Sequence, residues 1–565
     1  MNQDPNHPEP GTKEPRTTLE QTSTEDGRQG EAGFGTQDAP ALPAGSRTAQ
    51  GDGDLPSRLP ALRHLAVILA VVGLAAMSTY LFDSVVDLRP WVPGEPLPLG
   101  SLFRLQAAGE GHGAGPAGMG REEPRDLEEA RKALTETLGE DLAANLGEEG
   151  VAREGDPGEA PIPVPGEPHG VHVDPAEWHG LVREIEDPSG QGMAPFYRAL
   201  AQVASGQPGA MVRVAHWGDS TIAADDVTVT LRRRLQGRFG EGGHGFHLIG
   251  RGTQPYRHFD VQWDDLRSWT AHSVIHGDRR DGRYGLGGAL QVGNRGSRAV
   301  FQTVARGSVG QTWGVVEVWY QAHPTSGPLA VRIDDGAWVP LEARSGVQED
   351  RWFRQEVPEG PPHRLEIEAQ GPDVRVYGVV LERSGPGVVW DSLGIVGARA
   401  NRLLHFHPDH LAAQVAHRSP DLLVLAFGGN EAADTRMNHD RYREQLAEVI
   451  RRVRAGRPEA GCLLLAPLDQ GEVAPRGGVR TLPELPRIVE SQRVVAAQCG
   501  CAFFDTWKAM GGEGAMGRWY KSRPRLGWGD YRHATPAGYE VVGNLIYKAL
   551  LKGFSDYLGR LGGGR

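Results

Sequence analysis

From residue 211 to residue 552, short apolar runs alternate with longer stretches patterned at the helical period. This alternation restricts the fold more than any other feature of the chain. Residues near 212–217, 421–427, 462–466 and 502–505 are short apolar-rich runs, as strands buried on both faces are. Helical patterning follows near 226–239, 440–455, 483–498 and 536–552. In the second of these, Tyr442, Leu446, Val449, Ile450 and Val453 form a single core-facing stripe. Such a succession predicts an α/β fold, a three-layer parallel sheet with helices on both faces.

A long interruption follows the first strand–helix pair. Val316, Val318 and Tyr320 share one face of a period-two pattern, as do Leu329, Val331 and Ile333. Leu365, Ile367 and Ala369 repeat it, and so do Val374, Val376 and Gly378. Alternation bounded by Gly/Pro turns predicts a β-sandwich over 255–385, inserted into an α/β domain built from 173–254 and 386–555. Trp313, Trp319, Tyr320, Trp338 and Trp352 are expected mainly in the sandwich core. The alternative is a sugar-stacking platform. Trp217 and Trp390, beside the motifs described below, are likewise expected to be core residues, with a sugar subsite as the alternative.

The first 172 residues differ in kind. Residues 1–60 hold ten Asp/Glu, five Lys/Arg and few large apolar side chains, and are expected to be disordered. Leu65–Phe82 is eighteen residues without a charge. As a helix it would span roughly 27 Å, enough for a thin bilayer core. Arg47, Arg58 and Arg63 precede it, whereas only Arg89 follows closely. The expected topology is therefore single-pass in the cell membrane, with a cytoplasmic N-terminus and a periplasmic or extracellular catalytic domain. Residues 84–172 are expected to be a flexible tether, with one stretch of helical spacing at Asp126–Leu146.

The net charge of −12 and the absence of a long basic run argue against nucleic acid as a partner. Cys462, Cys499 and Cys501 match no zinc pattern. Free or buried thiols are the simplest expectation, and a bridge from Cys462 to one of the other two is the alternative. His405, His407 and His410 lack ligand partners at metal spacing beyond Asp409, so no metal is expected.

Chemistry concentrates in three places. Met211–Trp217 is followed by Gly218-Asp219-Ser220 and then by the helical stretch 226–239, an arrangement that presents a side chain at a tight turn. Asp225 and Asp226 are expected to favour the start of that helix. Pro420–Asn430 reads as a buried strand ending in Gly428-Gly429-Asn430. Asp530 and His533 precede Thr535-Pro536, a natural helix start, so they fall in the loop before it. A carboxylate three residues from an imidazole there can hold one ring nitrogen while the other faces a nucleophile.

The segments HWGDSTIAADD, WDSLGIVGA (390–398), AFGGNE (426–431) and DYRHATPAGY (530–539) resemble the sequence blocks of SGNH/GDSL hydrolases, in the same order. The resemblance implies Ser220 as nucleophile, His533 as general base and Asp530 as its orienter. It also implies an oxyanion hole from the backbone N–H groups of Ser220 and Gly397 with the Asn430 amide. Val396, where related sequences often carry a polar residue, departs from the pattern. The large insert before DSLG is similar to the peptidoglycan O-acetylesterases of Gram-negative bacteria, whose inserted module resembles a carbohydrate-binding fold. The implied function is hydrolysis of O-acyl, mainly O-acetyl, esters on an envelope polysaccharide through an acyl-enzyme, without a cofactor. An O-acyltransferase using the same residues is one alternative. A non-enzymatic tethered glycan-binding protein is another, and the intact set Ser220, Asn430, Asp530 and His533 argues against it.

Overall fold

The structure, a computed structural model, describes residue 124 and residues 126–147 and 171–562, save 253–254, 265–268 and 361. The expected tail, 1–60, and the expected span, 65–82, lie outside the described residues. Among the described residues, no helix is long and apolar enough to cross a membrane.

Five parallel strands form the central sheet in the order Gly387–Gly394, Met211–Gly218, Leu422–Ala426, Gly461–Leu465, Ala502–Phe504. Alternate side chains feed two separate layers, as pleating requires. Val212 and Val214 pack with the helices Ala194–Ala204, Asp226–Phe239 and Pro536–Gly562. Ala215 and Trp217 pack with Pro408–Arg418, His439–Arg454 and Leu485–Gln498. The edge strand Gly387–Gly394 has no counterpart among the strands expected from hydropathy. Asp391 and Ser392 interrupt its apolar run, yet both are buried. Asp391 is compensated by Arg418, which donates to both its carboxylate oxygens at 2.7 and 2.8 Å.

The insert consists of two antiparallel sheets. One contains Glu349–Glu356, Val315–Ala322, Val374–Glu382, Ala289–Gly293 and Thr270–Ser273, with Gly243–His247 added against Val374–Glu382. The other contains Gln262–Asp264, Arg298–Gln302, Arg364–Ala369, Leu329–Ile333 and Val339–Leu341. Strand pairing thus begins at Gly243, earlier than the expected 255. Val316, Val318, Leu329, Val331, Leu365 and Ile367 fill the space between the sheets. The opposite face of the first sheet is buried too, because Trp319, Tyr377 and Val380 join the core of the parallel-sheet domain.

Charged side chains lock the two parts together. Glu382, in the last strand of the insert, accepts from Arg213 at 2.9 and 2.8 Å and from Arg418 at 2.6 Å. Removing one member would leave another charge buried without its partner. His410 joins Asp350 and the Tyr284 carbonyl of the insert, each at 2.6 Å.

Two further observations depart from the simplest expectations. Part of the segment expected as tether belongs to the folded body. Helices Leu127–Leu138 and Glu140–Ala143 bury Ala130, Leu134, Leu142 and Ala143, and Leu146 is buried just after them. Asn544 and Lys548 of the C-terminal helix donate to the carbonyls of Asn145 (2.8 Å) and Ala144 (3.0 Å). The periodicity of 126–146 is therefore that of a helix with a docking face. Cys462 and Cys501 form a disulfide across neighbouring strands, leaving Cys499 as the free thiol.

Candidate active site

The first three strand ends lie side by side. Gly218 pairs in register with Gly394 on one side and Ala426 on the other. The chain therefore leaves all three strands at one edge of the sheet, where open α/β sheets place their ligand crevice.

Gly218 is needed for space. A Cβ there would lie 2.3 Å from Ile222 Cγ1 and 2.9 Å from the Ala426 carbonyl. Beyond it, Ser220–Ala223 forms a single helical turn capped by Asp219, whose Oδ1 accepts from the Thr221 N–H at 3.0 Å. The longer helix starts only at Asp226, after Asp225 at φ 60°. Ser220 thus sits on its own short helical turn ahead of the long helix, at the tight turn expected between strand and helix.

Ser220 Oγ lies 3.2 Å from His533 Nε2, and His533 Nδ1 lies 2.6 Å from Asp530 Oδ2. The other oxygen of Asp530 accepts the backbone N–H groups of Arg532 (2.9 Å) and His533 (3.1 Å), which fixes the carboxylate in its loop. Thr535 caps the following helix by accepting the Gly538 N–H at 3.2 Å. The hydrogen bond to Asp530 raises the His533 pKa above its ordinary value, against a lowering contribution from partial burial. Partial burial of Asp530 is outweighed by the bonds from His533 and the backbone, which hold its pKa down to about 2. The pair is therefore an anchored carboxylate and an imidazole whose free nitrogen meets a hydroxyl. Such a row can take a proton from the serine and return it to a leaving group.

Gly397 and Asn430 stand at the neighbouring strand ends. The Ala398 N–H donates to the Ile395 carbonyl at 3.0 Å, closing a turn in which Gly397 has φ 75°. That is the third position of a type II turn, which a side chain would strain even though the space around it is open. The Ile395 N–H donates to the Gly218 carbonyl at 2.9 Å, tying this turn to the strand before Ser220. Asn430 Nδ2 donates to the Ala398 carbonyl at 2.9 Å, so its amide is held against the same turn. Ser220, Asp530 and His533 are joined by hydrogen bonds. Gly397 and Asn430 are joined to each other through Ala398 and follow the two strands that flank the strand before Ser220.

Glu431 gained no role from the sequence. It is buried, and its two oxygens accept the N–H groups of Ala400 (2.8 Å) and Gly428 (3.1 Å). One carboxylate thereby ties the second block to the third. Burial raises its pKa to about 7, opposed by the Ala400 N–H and reinforced by the nearby Asp219. A signal existed in the form of an acidic residue three positions after Gly428, the place from which a side chain folds back on a helix start. Asp225 and Asp226, expected as helix-start charges, are committed to ion pairs with Arg232 and Arg257 at 2.7 Å. Trp217 and Trp390 are fully buried, donating to the Leu286 carbonyl and to His216 Nδ1. A small recess of about 30 Å³ opens beside the Ser220 turn, lined in part by Asp219, Thr221, Gly429, Gln470 and Arg532.

Residues 359–541 match the GDSL-like lipase/acylhydrolase family. A peptidoglycan O-acetylesterase structure is similar over 67% of this chain and 98% of its own, with 22% identity and a TM-score of 0.55. A family two carbohydrate esterase from Cellvibrio japonicus matches over 53% of this chain and 96% of its own, at 11% identity and a TM-score of 0.22. A GDSL-like lipase from Bacteroides thetaiotaomicron matches over 29% and 76%, at 21% identity and a TM-score of 0.22. Among curated proteins, no sequence matches the chain. With the parallel-sheet fold, the matched segment defines the molecule as a carboxylic ester hydrolase. The matched segment, residues 359–541, is similar to the GDSL-like lipases and acylhydrolases.

Proposed function

We propose that the chain is a membrane-anchored, extracytoplasmic serine esterase that removes O-acetyl groups from a cell-envelope polysaccharide such as peptidoglycan. The observation that carries this reading is the hydrogen-bonded row Ser220–His533–Asp530 at the crevice edge of the sheet. Ser220 Oγ attacks the ester carbonyl while His533 Nε2 takes the hydroxyl proton. The charge that develops on the carbonyl oxygen is met by the N–H groups of Ser220 and Gly397 and the amide of Asn430. His533 returns the proton to the departing sugar oxygen, leaving an acyl-Ser220. Water, deprotonated by the same imidazole, then releases acetate and restores the serine. No cofactor enters this sequence of steps.

The similarity to a peptidoglycan O-acetylesterase supports an acetylated carbohydrate substrate. The uncharged run Leu65–Phe82 supports a membrane anchor, and the Cys462–Cys501 bridge supports an oxidising compartment. The test is to incubate the detergent-solubilised full chain with O-acetylated and chemically deacetylated peptidoglycan and measure free acetate. Release from the first alone is expected. Acetylated acceptor in place of free acetate would mark a transferase, and no turnover of any acetyl ester would refute the reading.

A further inference from the structure

Behind the Ser220 turn lies a group of buried and half-buried imidazoles that the proposed reaction does not use. The strand Gly243–His247 pairs with Val374–Glu382 in the register His247–Val379, Phe246–Val380, Gly245–Leu381 and then Gly243–Glu382. His244 is passed over, which makes it the extra residue of a β-bulge. Gly243 and Gly245 on either side have φ of 101° and 88°. Residues three apart on a regular strand face opposite sides. Here the bulge turns His244 and His247 together, with ring centres 5.6 Å apart. His258 arrives from the following loop and lies 5.0 Å from His244 and 4.2 Å from His247. Asp225 completes the group from the other domain, five residues after Ser220. One donor atom each from Asp225, His244 and His258 lies within 4.8 Å of the other two.

These imidazoles lack the partners that buried polar groups ordinarily have. His244 and His247 are buried; neither ring nitrogen of His258 nor Nε2 of His247 has a hydrogen-bond partner, and the backbone group that reaches His244 is that of Phe259. The Phe259 N–H donates to Asp225 Oδ2 at 3.0 Å. His247 Nδ1 is bonded to the Leu248 carbonyl, so Nε2 carries the lone pair. That is the tautomer a metal-ligating histidine takes when a backbone carbonyl orients it.

We propose that Asp225, His244 and His258 bind a divalent transition ion of the zinc class, with the His247 ring packed beside them. Two imidazoles and a carboxylate are a ligand set for such an ion. Ligands on tetrahedral zinc lie about 3.3 Å apart, so small side-chain rotations close the site. Asp225 currently accepts from Thr228 Oγ1 at 2.5 Å, from the Phe259 N–H, and from Arg232 at 3.0 and 2.7 Å. Ligation replaces one Arg232 bond. Arg232 keeps the Phe259 carbonyl at 3.2 Å and Asp260 at 3.4 Å, and Asp260 is itself paired with Arg233. The ion would fasten the nucleophile turn to the insert. The Asp225 N–H donates to the Ile222 carbonyl at 2.9 Å, and the Arg257 N–H, one residue before His258, donates to the Ala223 carbonyl at 3.3 Å. It touches none of the reacting atoms, so its role is to position the turn.

The test uses the full chain, purified without a polyhistidine tag, stripped with chelator and then equilibrated with zinc. One tightly held zinc per chain is expected, with Tm raised by about 5 °C over the stripped protein. Cobalt in place of zinc should give the visible absorption of a four-coordinate site. His244→Gln and His258→Gln should each abolish uptake while leaving the circular dichroism of the folded chain. If those variants do not fold, the metal content and cobalt spectrum of the unaltered chain decide alone. Zinc well below one equivalent, an unchanged Tm, or cobalt absorption that survives both substitutions in folded protein would overturn the proposal.

Discussion

At the scale of single residues, the site separates into groups that react and groups that hold them. Ser220→Ala should remove nearly all turnover of an activated acetyl ester while Tm stays near that of the unaltered chain. The hydroxyl's hydrogen bond is to His533, at a partly exposed position, so little packing is lost. A rate close to the original would end the serine mechanism. Asn430→Ala should cost about 10²–10³ in kcat, the usual loss for one oxyanion donor. Its bond to Ala398 also supports the turn, so part of that loss would reflect displacement of Gly397. The pH dependence follows from His533. Only the neutral imidazole accepts the serine proton, so activity should fall as pH drops through its pKa. Asp530 raises that pKa, so the midpoint should lie above the ordinary value of about 6.5. Asp530→Asn should move the midpoint down. A profile flat from pH 8 to pH 5 would rule out a histidine base.

At the scale of elements, the turns after the strands depend on buried supports. Glu431→Ala would leave the N–H groups of Ala400 and Gly428 unpaired, at a cost of about 1–3 kcal/mol each. We expect a lower Tm together with a lower kcat, and a smaller effect for Glu431→Gln, whose side-chain oxygen can still accept one of the two N–H groups. A kcat unchanged by Glu431→Ala would show that the two turns hold their places without it. Elements that bury one continuous stripe were legible in the sequence. The strand at 212–217 and the helix at 440–455 appear within a residue or two of their expected bounds. The triad candidates were legible because a turn glycine, a helix cap and a short loop restrict where Ser220, Asp530 and His533 can lie. What escaped depends on partners far away in sequence. Gly387–Gly394 hides its strand character behind Asp391, whose charge is cancelled by Arg418. His244, His247 and His258 converge through a bulge that leaves no period in the pattern.

At the scale of the whole molecule, the parallel-sheet domain is completed from both ends of its sequence. A chain shortened to begin at residue 173 would lose the buried side chains of Leu134, Leu142 and Leu146, each worth about 1.5–3 kcal/mol. It would also strip partners from Asn544 and Lys548. Thermal unfolding should show it markedly less stable than a chain beginning near residue 120, and equal Tm values would show that the docked helices contribute nothing. Within the insert, Trp313, Trp319 and Tyr320 are buried, whereas Trp338 is partly exposed beneath Arg332 and Arg298. Trp338→Ala should leave hydrolysis of a small soluble acetyl ester near its original rate and reduce turnover of acetylated polymer at low concentration. Equal losses on both substrates would instead make this part of the insert scaffold. The side chains of Asp530 and His533 are 46% and 45% exposed. A hydrogen-bonded pair so open to water lies on a shore rather than in a harbour. Under the proposed function, an unbroken polymer would draw alongside at any point of its length without threading an end, and acetate would leave by the way water comes in.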